Sequence, residues 1–181
     1  MVAHGIRWRA MDAFLAVASR REVRRYADRP IPPEVEQRIL EAGRVSGSSQ
    51  NRQPWRFVVV ASPEARERTA AAVWAGDNVR GAALVIAVIV AGKGPVSFDA
   101  GRAAQNMLLA AWNEGIASCP NGLADRDVVR AALALEEEET PAIVLTFGVP
   151  ERHRDPESRP AAEWSGRANR KPLEDVVRHL T

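Results

Sequence analysis

A chain of 181 residues with 46% hydrophobic and 27% charged side chains has the make-up of one folded domain, which excludes disordered and collagen-like classes. Its 25 basic and 23 acidic residues nearly cancel, so charge offers no argument for a nucleic-acid partner. The longest apolar run, residues 82–91, is too short to span a membrane.

Met11, Phe14, Leu15 and Ala18 recur at helical spacing and predict a first amphipathic helix over about residues 10–20, stopping at an arginine cluster. Ahead of it residues 1–9, with His4, Arg7 and Arg9, are expected to be flexible, and the apolar stretch 13–18 is too short for a signal-peptide core. Pro32-Pro33-Glu34 opens a second helix with Val35, Ile39 and Ala42 on one face. Residues 43–53 read as a polar loop, and 56–61, with Phe57-Val58-Val59-Val60, as a strand covered on both faces. Ser62-Pro63-Glu64 starts a helix to about Trp74 with serine as its cap. A loop over 75–81 and a second buried strand over 82–90 follow. Asp99 is expected to cap a long helix to about Glu114, packed through Ala103, Met107, Ala110 and Ala111 and ended by Gly115. After residues 116–122, Asp125 caps a helix to about Leu135, and 142–148 form a third strand. The glutamates 136–139 read as a solvated turn. Proline- and charge-rich 150–170 has no clear period and reads as an ordered arm on another surface or a mobile tail, before a short helix from Pro172. Helices interleaved with three buried strands indicate an α+β or α/β sandwich with helices on both faces.

Only Lys93 and Lys171 among the basic residues are lysines; the rest are arginines, whose rigid donor forks suit phosphate and carboxylate. Four of them crowd into Arg20-Arg21-Glu22-Val23-Arg24-Arg25. This is either a solvated helix end, with Glu22 and Asp28 as local partners, or a phosphate clamp. Ser46-Gly47-Ser48-Ser49-Gln50-Asn51-Arg52-Gln53-Pro54-Trp55 is either an ordinary polar loop or a surface for a heterocycle. Its small residues allow close backbone approach, and Ser, Asn and Gln match imide and amide edges. A single cysteine, Cys119, excludes an internal disulfide, fits a reducing cytoplasm and, with scattered His4, His153 and His179, gives no expected metal site. Cys119 reads as a small buried thiol, with a redox role as the alternative. Trp55, Trp74, Trp112 and Trp164 read as core or interface anchors, Trp164 as the best placed to pack on a partner, and His153 and His179 as solvated.

Taken together, Arg20-Arg21-Glu22-Val23-Arg24-Arg25-Tyr26, Pro30-Ile31-Pro32 and Ser48-Ser49-Gln50-Asn51-Arg52-Gln53-Pro54-Trp55-Arg56-Phe57 resemble the N-terminal half of the nitroreductase family of FMN-dependent oxidoreductases. The stretch 99–111 with Gly115-Ile116-Ala117-Ser118, then Phe147-Gly148-Val149-Pro150 and Arg170-Lys171-Pro172-Leu173-Glu174-Asp175, resembles later parts of the family in order. The resemblance implies an α+β, three-layer α/β/α sandwich with a central mixed sheet, built as an intertwined homodimer with FMN at the subunit interface and residues 150–181 as an arm on the partner. It implies that Arg20, Arg21 and Arg24 hold the FMN phosphate and ring edge, that Arg170 with Lys171 approaches the phosphate, and that Ser48, Ser49, Asn51 and Gln53 reach the flavin partly from the neighbouring subunit. Pro120-Asn121-Gly122 would lie against the central ring with a backbone N–H near N5.

The implied activity is hydride transfer from NADH or NADPH through flavin N5 to nitroaromatic, quinone or similar small acceptors, with no side chain singled out as catalytic. Flavin cleavage, dehalogenation or heterocycle oxidation on the same fold, and flavin binding without turnover, are the rival readings. Glu22 stands where relatives commonly have serine, Gly47 where proline is frequent, and the connection 92–97 is short, which implies a minimally covered site.

Overall fold

The computed structural model describes residues 11–180, so the flexibility expected of residues 1–9 falls outside the described residues. In chain order the elements are α1 (Ala13–Ser19), α2 (Pro33–Arg44), β1 (Trp55–Val59), α3 (Pro63–Ala71), α4 (Gly76–Arg80), β2 (Leu84–Val90), α5 (Val96–Asn113), β3 (Ala117–Asn121), α6 (Arg126–Ala132), β4 (Thr140–Gly148) and α7 (Ala161–Gly166). Short 3-10 turns occupy Ser49–Asn51, Pro156–Ser158 and Leu173–Asp175. They divide into two units, residues 11–20 with 155–180 and residues 21–154.

Local chemistry sets the helix ends. The Ser62 hydroxyl accepts the Ala65 N–H at 3.1 Å, and the Asp125 carboxylate accepts the N–H groups of Asp127 and Val128 at 2.9 and 3.0 Å, as their types suggest. Gly115 adopts φ +74° behind α5, a conformation that glycine takes without steric cost. Asp99 is not the cap of α5: the helix begins a turn earlier, after Pro95, and Asp99 lies inside its first turn. Residues 75–81, expected as a loop, contain α4.

The sheet of the larger unit has four strands in the order β1-β2-β4-β3, and every pairing among the described residues is antiparallel. This corrects both the three-strand count and the mixed sheet. The added strand, β3, comes from the segment 116–122 to which no element was assigned, where Pro120 and Asn121 interrupt any apolar alternation. Strand β2 is buried throughout because both faces are covered. Leu84, Ile86, Val88 and Val90 meet Ile39 of α2 and Met107 and Leu108 of α5, while Val85, Ala87 and Ile89 meet Ala70 of α3 and Val79 of α4. Helices on both sides of one sheet make the three layers of this unit.

Beyond α1 the arginine segment is not a helix end. The Val23 N–H donates to the Ser118 carbonyl at 3.1 Å and the Ala27 N–H to that of Val149 at 2.8 Å, so it runs extended along β3 and the end of β4. The Tyr26 ring lies over Gly148, where a Cβ would come within 2.6 Å of it. The glutamate turn is only partly solvated: Glu139 is 6% exposed and pairs with Arg56 at 2.6 Å, and Arg130 donates to the carbonyls of Glu136, Glu137 and Glu139.

In the smaller unit the Asp12 carboxylate caps α1 by accepting the Leu15 N–H at 2.9 Å, and α7 and the turn at Pro156–Ser158 pack on that helix. Residues 150–170 therefore contain a helix where no period was legible. The Trp164 indole N–H donates to the Pro156 carbonyl at 2.8 Å, and the Arg159 guanidinium sits 4.9 Å from its ring centre, so this tryptophan is engaged within its own unit. Trp112 is a core residue at 4% exposure, whereas Trp74 is 79% exposed and no core anchor. His153 and His179 are exposed.

Candidate functional site

The polar loop 46–53 stands on one face of α5. Asp99, only 2% exposed, accepts the Ser49 N–H on both carboxylate oxygens at 3.1 and 3.3 Å. One turn on, the Arg102 guanidinium lies against Gly47, where a larger residue would displace its flexible end. A further turn on, the Asn106 amide donates to the Ser46 hydroxyl at 2.7 Å, and that hydroxyl donates to the Ala42 carbonyl at 3.0 Å. The Ser48 hydroxyl accepts the Gln53 N–H at 2.8 Å and closes the loop.

So anchored, the chain holds Gln50, Asn51 and Gln53 at φ +51°, +55° and +51°. Non-glycine residues pay about 1–3 kcal/mol each for such left-handed conformations, and clusters of them mark binding and active sites. Asn51 and Gln53 are exposed and Ser48 and Ser49 half-buried, so all four offer polar atoms at the surface. Gln53 also lines a cavity of about 350 Å³ with Arg52, Arg56 and Glu139.

Arg21 and Arg24 lie on the extended segment beside β3, Arg21 half-buried and Arg24 exposed. Arg24 lines a cavity of about 280 Å³. Arg20 ends α1 in an extended conformation, and in the same unit Arg170 and Lys171 are exposed, the Arg170 guanidinium donating to the Ala168 carbonyl at 3.0 Å.

Pro120-Asn121-Gly122 forms the end of β3 and its exit. The Asn121 side chain is turned inward at 2% exposure. Its oxygen accepts the Asn78 amide at 2.7 Å, and its nitrogen donates toward the Cys119 and Val144 carbonyls and the Thr146 hydroxyl at 3.0–3.2 Å. Any contact of Asn121 with a ligand therefore goes through its main chain. Cys119 is 1% exposed, a buried thiol beside this network.

The Thr146 hydroxyl donates to the Cys119 carbonyl at 3.1 Å, leaving the Tyr26 hydroxyl, 3.0 Å away, to donate to it. Burial pushes the Tyr26 phenol well above the ordinary tyrosine range. The unfolded chain loses this proton near pH 10 while the folded one keeps it, so stability is full below pH 10 and falls above it by up to about 1.4 kcal/mol per pH unit. Tyr26 is the only tyrosine. Ultraviolet titration should therefore show phenolate absorbance appearing together with unfolding, and reversible ionisation near pH 10 in folded protein would contradict this burial.

The topology separates the two halves of the candidate site. The loop leads into β1 at one sheet edge, and Pro120-Asn121-Gly122 ends β3 at the other. Three strand spacings, about 14 Å, lie between those edges. Asp99, Arg102 and Asn106, which position the loop, escaped the sequence reading because their partners lie 50 or more residues away. The polar face they form on an otherwise apolar helix was the available signal. No group of three or more His, Cys, Asp or Glu side chains among the described residues is placed to hold a metal ion, and no helix there is long and apolar enough to cross a membrane.

The model of the nitroreductase family matches residues 17–93 and 77–149. A Methanothermobacter thermautotrophicus protein provisionally named NADH dehydrogenase/NAD(P)H nitroreductase is 32% identical over 149 residues, covering 77% of this chain and 78% of that protein. The crystal structure of a provisionally named nitroreductase in complex with FMN from Desulfovibrio desulfuricans is 29% identical, with a TM-score of 0.79 over 95% of this chain and 99% of that one. A Parabacteroides distasonis structure, 24% identical, shares the fold with a TM-score of 0.80 over 93% of this chain and 98% of that one.

Proposed function

This chain belongs to the nitroreductase family, and on that premise we propose that it is an FMN-dependent oxidoreductase working as a homodimer with nicotinamide nucleotides. The observation that carries the reading is the loop 46–53, held in a strained, polar and accessible form by α5. The match of the chain as a whole to an FMN-bound relative adds support.

The residues present fit FMN. Arg20 and Arg21, with Arg170 and Lys171, supply donors for a phosphate, and charge-assisted bonds of this kind contribute about 1.5–3 kcal/mol each. Ser48, Ser49, Asn51 and Gln53 offer donors and acceptors to the carbonyl and imide edge of the ring. Because the loop and Pro120-Asn121-Gly122 lie at opposite sheet edges, the loop serves the flavin of the neighbouring subunit. Exposed apolar side chains on both units, among them Phe14, Phe98, Leu173 and Val176, give that partner a surface to cover.

Bound FMN supplies the two-electron chemistry, taking a hydride from NADH or NADPH at N5 and giving it, in a separate half-reaction, to a nitroaromatic, quinone or similar small acceptor. The main chain at Asn121-Gly122 provides an N–H toward N5, held still by the buried Asn121 side chain. Arg24 places a positive charge at the ring edge, favouring negative charge developing there. No side chain acts as acid or base. The short turn from Gly92 to Pro95, where Gly92 and Gly94 adopt φ +96° and +100°, leaves the site minimally covered. A reducing cytoplasm suits a chain with one buried thiol.

Purified protein loaded with FMN should be yellow, bleach with NADH or NADPH, recover colour with menadione or nitrofurazone, and elute as a dimer. Colour that neither nucleotide bleaches would indicate flavin binding with other chemistry, and failure to retain FMN would overturn the reading.

A further inference from the structure

From Ala142 to Phe147 strand β4 is apolar except at Thr146, whose hydroxyl interrupts the run. Thr146 and the residue opposite it on β3, Cys119, are both buried. Valine has nearly the same shape and suits a strand as well, so the hydroxyl is what threonine adds here. Its bonding capacity is filled: it donates to the Cys119 carbonyl at 3.1 Å and accepts from the Asn121 amide at 3.1 Å and the Tyr26 hydroxyl at 3.0 Å.

Three stretches of chain therefore meet at one oxygen. Asn121 reaches it by turning its amide back along β3, because side chains two apart on a strand share a face. The other end of that amide is held as well, its oxygen accepting from Asn78 of α4 at 2.7 Å. One residue on, the Gly122 carbonyl accepts the Trp74 N–H at 3.0 Å. The main chain at Asn121-Gly122 is thus fixed from within the sheet by Thr146 and from outside it by Asn78 and Trp74. Tyr26, two residues past Arg24, brings the arginine segment to the same point. Such buried polar groups gain little stability over apolar ones of equal shape, whereas a fully satisfied network holds its members in a single arrangement. What this network delivers is geometry.

We propose that Thr146, acting through the Asn121 amide and with Tyr26 as its second partner, is a positioning residue that sets the main-chain N–H at Asn121-Gly122 toward flavin N5. The inference rests on the reading of this main chain as the N5 donor of an FMN oxidoreductase.

The test replaces the acceptor atom. In 5-deaza-FMN a C–H stands in place of N5 and accepts no hydrogen bond, so the ratio of its affinity to that of FMN reports the contact, while the ratio of FMN to riboflavin reports the phosphate. Full-length protein is titrated with all three flavins and binding is read from flavin fluorescence. Wild type should bind FMN about 3- to 10-fold more tightly than 5-deaza-FMN, the contribution of one neutral hydrogen bond. Thr146→Val should abolish that preference and leave the FMN-to-riboflavin ratio at its wild-type value. Thr146→Ser, which returns the hydroxyl, should restore the preference, and Tyr26→Phe should lower it. A mere loss of packing would weaken all three flavins together and leave both ratios unmoved, which overturns the proposal, as does Thr146→Val protein with the wild-type preference. If Thr146→Val yields no folded protein, Tyr26→Phe decides: a lowered preference upholds the proposal and an unchanged one overturns it. Wild type that binds FMN and 5-deaza-FMN equally overturns both the proposal and the N5 placement but keeps the FMN reading. Protein that holds none of the three flavins sinks that reading and the proposal with it.

Discussion

Asn121→Ala should lower the stability of the folded chain by about 3 kcal/mol, the largest loss expected from any single polar truncation here. The change removes the acceptor of the Asn78 amide and the donor shared by the Cys119 and Val144 carbonyls and the Thr146 hydroxyl. These groups are buried, and each one left unpaired costs about 1–3 kcal/mol. For a domain of this length the loss amounts to a fall of about 6–12 °C in melting temperature. Asn121→Asp makes a sharper companion. It keeps the acceptor for Asn78 but sets a carboxylate against three oxygens, so burial and repulsion raise its pKa in the folded state. The variant should be most stable below pH of about 4 and lose stability as pH rises through its folded pKa, opposite to an ordinary paired aspartate. A melting temperature within about 2 °C of wild type for Asn121→Ala, an effect of less than about 1 kcal/mol, would show that the network is dispensable.

Arg20→Ala should weaken FMN binding by about 10- to 100-fold, the loss of one charge-assisted phosphate contact. Riboflavin, which lacks the phosphate, separates this from a general loosening of the site: its affinity should be the same for both proteins. The wild-type advantage for FMN over riboflavin should also shrink as salt is raised, since exposed charges are screened within about 10 Å at 0.1 M salt. Arg29→Ala, an exposed arginine outside the motif, is the control. Equal retention of FMN by Arg20→Ala and wild type would return the arginine cluster to the status of an ordinary charged surface.

Much of the fold was legible where one residue does one local job. Ser62 and Asp125 begin helices and Gly115 ends one because a hydroxyl, a carboxylate and a bare Cα suit those positions. The buried strand β2 declared itself by its unbroken apolar run. Strand β3 did not, because Pro120 and the inward-facing Asn121 carry none of the β-branched alternation by which strands are known, and the pairing with β4 decides the matter at long range. Helix α4 is only Gly76–Arg80, too short for a period to register. Asp99 misled for a related reason: an acid near a helix start resembles a cap, yet its partner is Ser49 across the fold. The loop 46–53 stood out by composition, but that it is strained, and which helix carries the strain, depends on contacts no local pattern contains.

The way α5 holds this loop also fixes an order of events. The Ser49 N–H waits for a carboxylate 50 positions later in the chain, and the Ser46 hydroxyl for an amide 60 positions later. On a growing chain the Ser-Asn-Gln motif is made first and stays without its geometry until β2 has formed and α5 has docked beside α2. If this motif holds the flavin as proposed, capture of the flavin there follows closure of the core and does not guide it.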